Sequence, residues 1–409
     1  MNINVDVLII GGGPAGLAAG IVCGRHGLRT LICEKRSLPA DKACGEGVMP
    51  TGLACLEQLG VKRHIRSGHY FPFEGIRYFS PMGKTVSAAF QEGPGWGIPR
   101  LELSRAMLQR ARELDCLEIR TEVQVTAIYK EDTGEHNRLW VKAGEDLIGA
   151  KLLIGADGLN SGVRRWAGLQ GSKGTHQRWG ARQHFRIAPW GREVEVHWSD
   201  GIEAYVTPCG ENLVGVAFLW DRKRHRGLPG GNQLIPALLE AFPALKKRLR
   251  NTSVNDTALA IGPMQRTATQ PTADGVLLMG DAAGYLDALT GEGISLALAQ
   301  VLSLEETVVP ILLASGRKDL LSVHDLSAYK QAYQEIIRPY YQVTHLALWL
   351  SHHPNLVEGV ISLLARKPAL FQSLLSANMG LTPLWQVPLR GILLTSGIKK
   401  NNKFESPPQ

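Results

Sequence analysis

The 409-residue chain holds only six cysteines, and their placement excludes several functions. Cys23, Cys33, Cys44, Cys55, Cys116 and Cys209 form no C-x-x-C pair and no His/Cys metal spacing. No metal centre is expected, and a reduced cytoplasmic protein without structural disulfides is the simplest reading. Aromatic residues make up 7% of the chain and do not alternate with basic ones, so nucleic acid is not an expected partner. Internal repeats and low-complexity linkers are absent. Val7 to Gly24 carries no charge, yet the stretch is glycine-rich, and Asp6 precedes it with no basic region. It therefore predicts neither a membrane span nor a targeting signal.

The rest is ordinary globular composition: 44% hydrophobic residues, 20% charged, net charge +8. A chain of this length supports two or three structural units. Its most specific features are two glycine-rich loops far apart. In the first, Val5–Ile10 reads as a buried strand, followed by Gly11, Gly13 and Gly16 in G-x-G-x-x-G spacing. Gly11 allows a tight turn, Gly13 a close approach to pyrophosphate, and Gly16 close packing of helix on strand. Pro14 and Ala15 belong to this loop, and Leu17–Val22 then starts a helix whose positive end favours phosphate. Arg29–Cys33 predicts the second strand, and Glu34 and Lys35 follow it. Glu34 stands 18 residues past Gly16, where a carboxylate binds ribose hydroxyls. In the second loop, Gly275–Gly280 reads as a strand with Asp281 at its end, placed to bind a cofactor hydroxyl. Gly291, Glu292, Gly293 and Ile294 then open a helix whose dipole favours negative charge. In this order and separation, the loops read as two halves of one FAD site.

Between them, Arg100 stands just before a helix expected over 104–114, within reach of a phosphate or a flavin edge. Leu117–Ile128 and 137–142 read as β structure. Ala150–Arg165 is a further strand and turn carrying Asp157, Gly158 and Arg164. Over 172–265, runs at Trp179–Ile187, Glu193–Trp198, Glu203–Pro208 and Asn212–Phe218 predict an antiparallel sheet over the cofactor. Arg182, His184, His197 and Tyr205 are its candidate substrate contacts. Residues 300–409 read as helices punctuated by Pro310, Pro339, Pro354, Pro368, Pro383 and Pro388, and 400–409 as a disordered tail. Residues 330–409 carry eight basic residues against three acids. Such a segment either rests on an anionic membrane surface or packs as a helical subdomain with its polar face in water.

The motifs GGGPAG with Glu34, GADGLNSGVR (155–164) and GDAAG…GEGIS resemble the single-Rossmann FAD oxidoreductases over residues 1 to about 300. That group includes aromatic-ring monooxygenases, flavin halogenases and geranylgeranyl reductases. The resemblance implies an α/β fold: a Rossmann-like FAD-binding domain, an interleaved antiparallel substrate domain and C-terminal helices. The FAD domain is expected from 1–65, 100–170 and 270–305, the substrate domain from 66–99 and 171–269, and a helical region over 306–399. It also implies that Glu34 binds the adenosine ribose, Val125 offers backbone contacts to adenine, and Arg100 approaches FAD. Asp157 and Arg164 would lie near the pyrophosphate and a transient NAD(P)H, and Asp281 would hold the ribityl chain. Ala288 departs from the proline usual before the Thr-Gly-Glu-Gly turn.

Lys42-Ala-Cys44-Gly45-Glu46-Gly47-Val-Met-Pro50 resembles the K-x-C-G-x-G segment of geranylgeranyl reductases, which lies by the flavin ring. Cys44 is therefore either an active-site group or a small buried thiol. Glu203–Pro208 matches neither the halogenase nor the geranylgeranyl-reductase signature of that strand. With no second complete G-x-G-x-x-G, nicotinamide must bind transiently or electrons must come from another protein. The first expectation is an NAD(P)H-using monooxygenase that transfers oxygen from dioxygen to an aromatic or apolar ring-containing small molecule. Cys44, Gly45, His184 and Tyr205 are its candidate catalytic residues. The alternatives are reduction of isoprenoid C=C bonds and a flavin-binding electron relay.

Overall fold

The computed structural model describes residues 2–131, 138–174, 177–314 and 320–387. Val7, Leu8 and Ile9 of the strand Asn2–Ile10 are wholly buried, as expected of a strand covered on both faces. This strand pairs in parallel with Thr30–Cys33 and Asp146–Gly155, setting Leu8 opposite Leu31 and Leu153. Leu117–Arg120 and Val276–Leu278 extend the sheet in parallel on either side. Arg138–Ala143, Val125–Glu131 and Thr272–Ala273 add antiparallel strands, eight in all. Parallel pairing has a functional consequence. The strands ending at Ile10, Cys33, Gly155 and Leu278 finish along one edge, so Gly11, Glu34, Asp157 and Asp281 assemble there despite their sequence separation.

The helix Pro14–Arg25 packs against Arg100–Ala111 and Gly293–Thr307. By length and composition alone, Gly293–Leu313 could cross a membrane. Here Leu298, Val301 and Leu304 are wholly buried against the parallel sheet's core, which identifies a core helix.

The second sheet also has eight strands. Its order is Ser253–Val254, Arg178–Arg186, Leu213–Asp221, Ile202–Gly210, Glu193–Trp198, Gly75–Phe79 and Thr85–Ala89, with Leu259–Ile261 beside Arg178–Arg186. Every pair is antiparallel except Glu193–Trp198 with Gly75–Phe79. Alternation divides the strand Arg178–Arg186. Ala181 and Phe185 join an apolar cluster with Leu234, Leu238 and Leu245. Arg178, Arg182 and His184 instead reach the loops of the first sheet.

Three elements differ from the sequence reading. The helix expected over 104–114 is Arg100–Ala111, with Pro99 as its N-cap, so Arg100 is its first residue. Leu117–Ile128 divides into two strands around Glu122, whose φ is +60°. Pro339 lies inside the 25-residue helix Ser327–Ser351 and does not end it. An interior proline costs a helix about 3 kcal/mol. Tertiary anchoring offsets that cost: Tyr329, Tyr333 and Tyr340 are buried, and their hydroxyls donate to the carbonyls of Leu278, Ala283 and Asp287. Pro354 and Pro368 start helices as expected. Pro388 and the tail from Lys400 lie outside the described residues.

A buried ion cluster ties the second sheet to the loop before Gly291. Arg178 Nε contacts Asp287 Oδ2 at 2.9 Å, and its Nη2 contacts Glu203 Oε2 at 2.5 Å. Burial opposes the guanidinium's charge, but the two carboxylates outweigh it and hold its pKa above the ordinary value. Replacing Arg178 by Met strands two carboxylates in the core. Stability should fall by about 3–5 kcal/mol, measured as a lower urea midpoint.

Candidate functional site

Bare backbone forms the floor of the site. Gly11 has φ +109°, and a Cβ there would lie 2.3 Å from the carbonyl oxygen of Ala156. A Cβ on Gly16 would lie 1.8 Å from the Gly11 carbonyl oxygen. Neither position accepts a side chain. A Cβ on Gly13 would find Arg100 Nη2 as its nearest neighbour, at 4.0 Å. Arg100 is 7% exposed, and its Nη1 has no hydrogen-bond partner. Burial pulls its pKa down from the usual value. A buried cation with an unused donor, facing a helix N-terminus through an open cradle, fits a pyrophosphate.

Glu34 closes one end. Its carboxylate accepts from Gly12 N–H at 2.6 Å and Arg36 N–H at 3.0 Å. Val125 is buried at the start of its strand, and Val123 N–H donates to the Glu34 carbonyl. Lys35 is exposed. The second loop meets the first where a Cβ on Gly280 would come 3.1 Å from Ala15 Cβ, and Gly280 N–H donates to Gln300. Asp281 is half-buried and pairs with Lys42 Nζ at 3.0 Å. These residues fit FAD: a carboxylate for a ribose, a bare peptide cradle and Arg100 for phosphates, and Asp281 for a hydroxylated chain.

Asp157 and Arg164 do other work here. Asp157 Oδ2 accepts from the N–H groups of Gly162 and Val163, and its Oδ1 stays unpartnered. Gly158, with φ +77°, makes the turn between. Arg164 is 1% exposed and donates to the carbonyls of Leu159, Asp281 and Ala282. It binds one loop to the other, and its Nε donates to Gln170 Oε1 at 3.2 Å. Tyr205 is likewise buried, its hydroxyl donating to the Leu289 carbonyl at 2.7 Å. His197 stacks on Phe79 and pairs with Glu195, away from this space.

Cys44 and Gly45 do reach open space. Gly45 is exposed, with nothing within 4 Å of a Cβ placed on it, and Cys44 is half-buried beside it. Burial pushes the Cys44 thiol up, with Arg100 opposing, so it carries its proton at neutral pH. Behind them Glu46 is buried against Arg182, His184 and Cys209. Glu46, His184 and Cys209 are the one such triad of potential metal ligands among the described residues. His184 Nε2 lies 2.6 Å from Glu46 Oε2. Ligand atoms around zinc stand on the order of 3 Å or more apart, so this contact is a hydrogen bond. Glu46, Asp256, Lys42 and the Arg178 cluster escaped the sequence reading. Only the Lys42–Pro50 motif hinted at the first and third.

Glu292 is the N-cap of the helix Gly293–Thr307, and Gly291 before it is exposed with φ +72°. Ile294 is half-buried in its first turn. Asn378, from the helix Pro368–Asn378, reaches both the Thr290 carbonyl and Glu292 Oε1 at 3.3 Å. Glu292 is 2% exposed, and burial pushes its carboxyl up to about 8.

Residues 4–225 match the family of the FAD binding domain. The digeranylgeranylglycerophospholipid reductase of Methanosarcina acetivorans is 27% identical over 311 residues, 71% of each chain. The menaquinone reductase of Mycobacterium tuberculosis is 27% identical over 313 residues, 72% of this chain and 74% of that one. Among solved structures, a flavoprotein/dehydrogenase from Cytophaga hutchinsonii shares the fold with a TM-score of 0.78 at 18% identity, over 96% of each chain.

The burial of Glu292 makes stability depend on pH. Its folded pKa of about 8 exceeds the usual 4.5, so the folded state holds an extra proton between those values. Stability is full below 4.5 and declines as pH rises through 8. In FAD-free protein, Glu292→Gln should remove that decline and raise the melting temperature at high pH by on the order of 5 °C. Calorimetry across the pH range checks it.

Proposed function

Because the chain belongs to the FAD binding domain family, we propose that it is an FAD-dependent reductase saturating carbon–carbon double bonds of an isoprenoid lipid. One observation carries the reading: the Gly45 peptide borders open space, and the half-buried Cys44 thiol beside it keeps its proton close to Arg100. Two relatives, named as reductases, support it with matches over more than two thirds of this chain. FAD, when bound, supplies the hydride equivalent. The chain's own residues hold the pyrophosphate at Gly13 and Arg100, and the ribose at Glu34. Cys44 supplies the proton that completes addition of two hydrogens across the double bond. NADH or NADPH, bound transiently, provides the electrons. Exposed Leu346, Trp349, Leu381 and Trp385 in the C-terminal region suit contact with a cytoplasmic membrane face that delivers such a substrate.

The test uses FAD-loaded protein, reduced with NADPH or dithionite and mixed with a geranylgeranyl lipid in detergent without oxygen. Two hydrogens gained per double bond, read by mass spectrometry, support the proposal. Cys44→Ala should slow that gain by about 10²-fold or more with FAD retained. Oxygen gained by an alkylphenol, only in air, would replace the proposal with the monooxygenase reading. Electron transfer to an artificial acceptor with neither product would leave an electron relay.

A further inference from the structure

The back of the Cys44–Gly45 segment is held by charge. Glu46 is 1% exposed and has φ +63°, a left-handed backbone that non-glycine residues seldom adopt. Its side chain leaves the cofactor space and enters the second sheet. Oε1 accepts from Arg100 N–H at 2.8 Å and lies 3.4 Å from Arg182 Nε. Oε2 lies 2.6 Å from His184 Nε2 and accepts from the Cys209 thiol at 3.6 Å. The chain continues outward, with His184 Nδ1 2.6 Å from Asp256 Oδ2. Asp256 also accepts from His184 N–H and Arg182 Nη1, and its side chain is 25% exposed. Arg182 Nη2 reaches Asp41.

Both ring nitrogens of His184 therefore face carboxylate oxygens. A neutral imidazole donates through one nitrogen only, so the imidazolium is the form that donates to both carboxylates, with Arg182 Nη1 3.1 Å from Nδ1 as the opposing cation. The groups around it are Glu46, Asp256 and Asp41 as anions, Arg182 as a cation, and the neutral thiol of Cys209. Arg100 and the Cys44 thiol lie on the far side of Glu46. Burial opposes the His184 charge, but hydrogen bonds to Asp256 and Glu46 outweigh it and push the pKa up to about 9.

The peptide in front depends on this arrangement. Glu46 N–H points to Cys44 Sγ at 3.4 Å, and the Glu46 carbonyl accepts from Ile98 N–H. Thr207 Oγ1 donates to the Gly45 carbonyl at 2.8 Å. We propose that Glu46 and His184 are positioning residues which, through the ion-pair chain to Asp256, hold the Cys44–Gly45 peptide against the flavin ring and make its position respond to solvent pH. The inference rests on FAD lying against this segment and does not require the lipid-reductase reading. Loss of the His184 proton leaves two carboxylates competing for one donor. The left-handed Glu46 backbone then loses the contacts that hold it.

The test is a pH titration of the visible spectrum of oxidised, FAD-loaded protein, with no substrate, from about pH 7 to about pH 10.5. The wild type should show a one-proton change in the flavin bands with a midpoint near 9. Asp256→Asn keeps the imidazole and Glu46 but removes one anion, and should lower the midpoint by about one pH unit or more. His184→Gln should abolish the transition. Ionisation of the flavin's own N3 proton would persist unchanged in both variants and so identifies itself. Circular dichroism and FAD stoichiometry establish folding; if His184→Gln loses FAD, Asp256→Asn decides. A flat wild-type titration, or a midpoint unmoved in Asp256→Asn, overturns the proposal. A protein inactive on isoprenoids yet showing the shifted midpoint would overturn the reductase reading alone.

Discussion

The site depends on backbone meeting backbone where no side chain fits. Gly11 packs on Ala156, and Gly16 on Gly11, at separations that a Cβ would close to 2.3 and 1.8 Å. These contacts bring the N-terminus of Pro14–Arg25 down onto the edge where the parallel strands end. Everything that follows inherits that placement. Arg100 can face Gly13 only because its helix packs on Pro14–Arg25. Gly280 can approach Ala15 only because Val276–Leu278 runs parallel to Asp146–Gly155. A hydrophobic core of Val, Leu and Ile sets the strands, but the glycines set how closely a cofactor can be approached.

The second loop poses the opposite problem. Residues 281–290 are largely irregular and well buried, so their carbonyls need partners from elsewhere. Arg164 takes those of Asp281 and Ala282, Tyr333 that of Ala283, Tyr340 that of Asp287, Tyr205 that of Leu289 and Asn378 that of Thr290. Four separate regions of the chain thus converge on one loop. This gives a physical reason why Arg164 and Tyr205 hold backbone while Arg100 keeps a free donor. It also accounts for the C-terminal helices: Ser327–Ser351 and Pro368–Asn378 contribute polar anchors as well as apolar surface.

What could be read from sequence follows from how local the constraint is. The strand–turn–helix around Gly11 and the acid at Glu34 are set by short-range spacing, and they are where the spacing put them. The strands over 172–265 announced themselves as short β-rich runs. Glu46 did not, because its left-handed φ and its descent into another sheet depend on His184 and Asp256, both far away in sequence. Pro339 misled for the same reason: local cost argues for a break, and three buried tyrosines override it. The Arg178 cluster was hidden because an arginine opening a strand looks like surface until Asp287, from the other loop, is brought beneath it.

Glu292 and Glu46 show two solutions to the same difficulty, an acid with almost no access to water. Glu46 is met by Arg182, His184 and a backbone N–H, which give both of its oxygens partners and fix its geometry. Glu292 has a weak amide contact from Asn378 and a hydrogen bond with Ser295, which do not offset its burial, and it stays protonated to about pH 8. A charged Glu292 would neutralise the positive end of the helix Gly293–Thr307 with its own negative charge. Kept neutral, it leaves the positive charge of that end uncompensated. The partnered acid therefore stands behind the Cys44–Gly45 peptide, and the protonated one at the N-terminus of a helix.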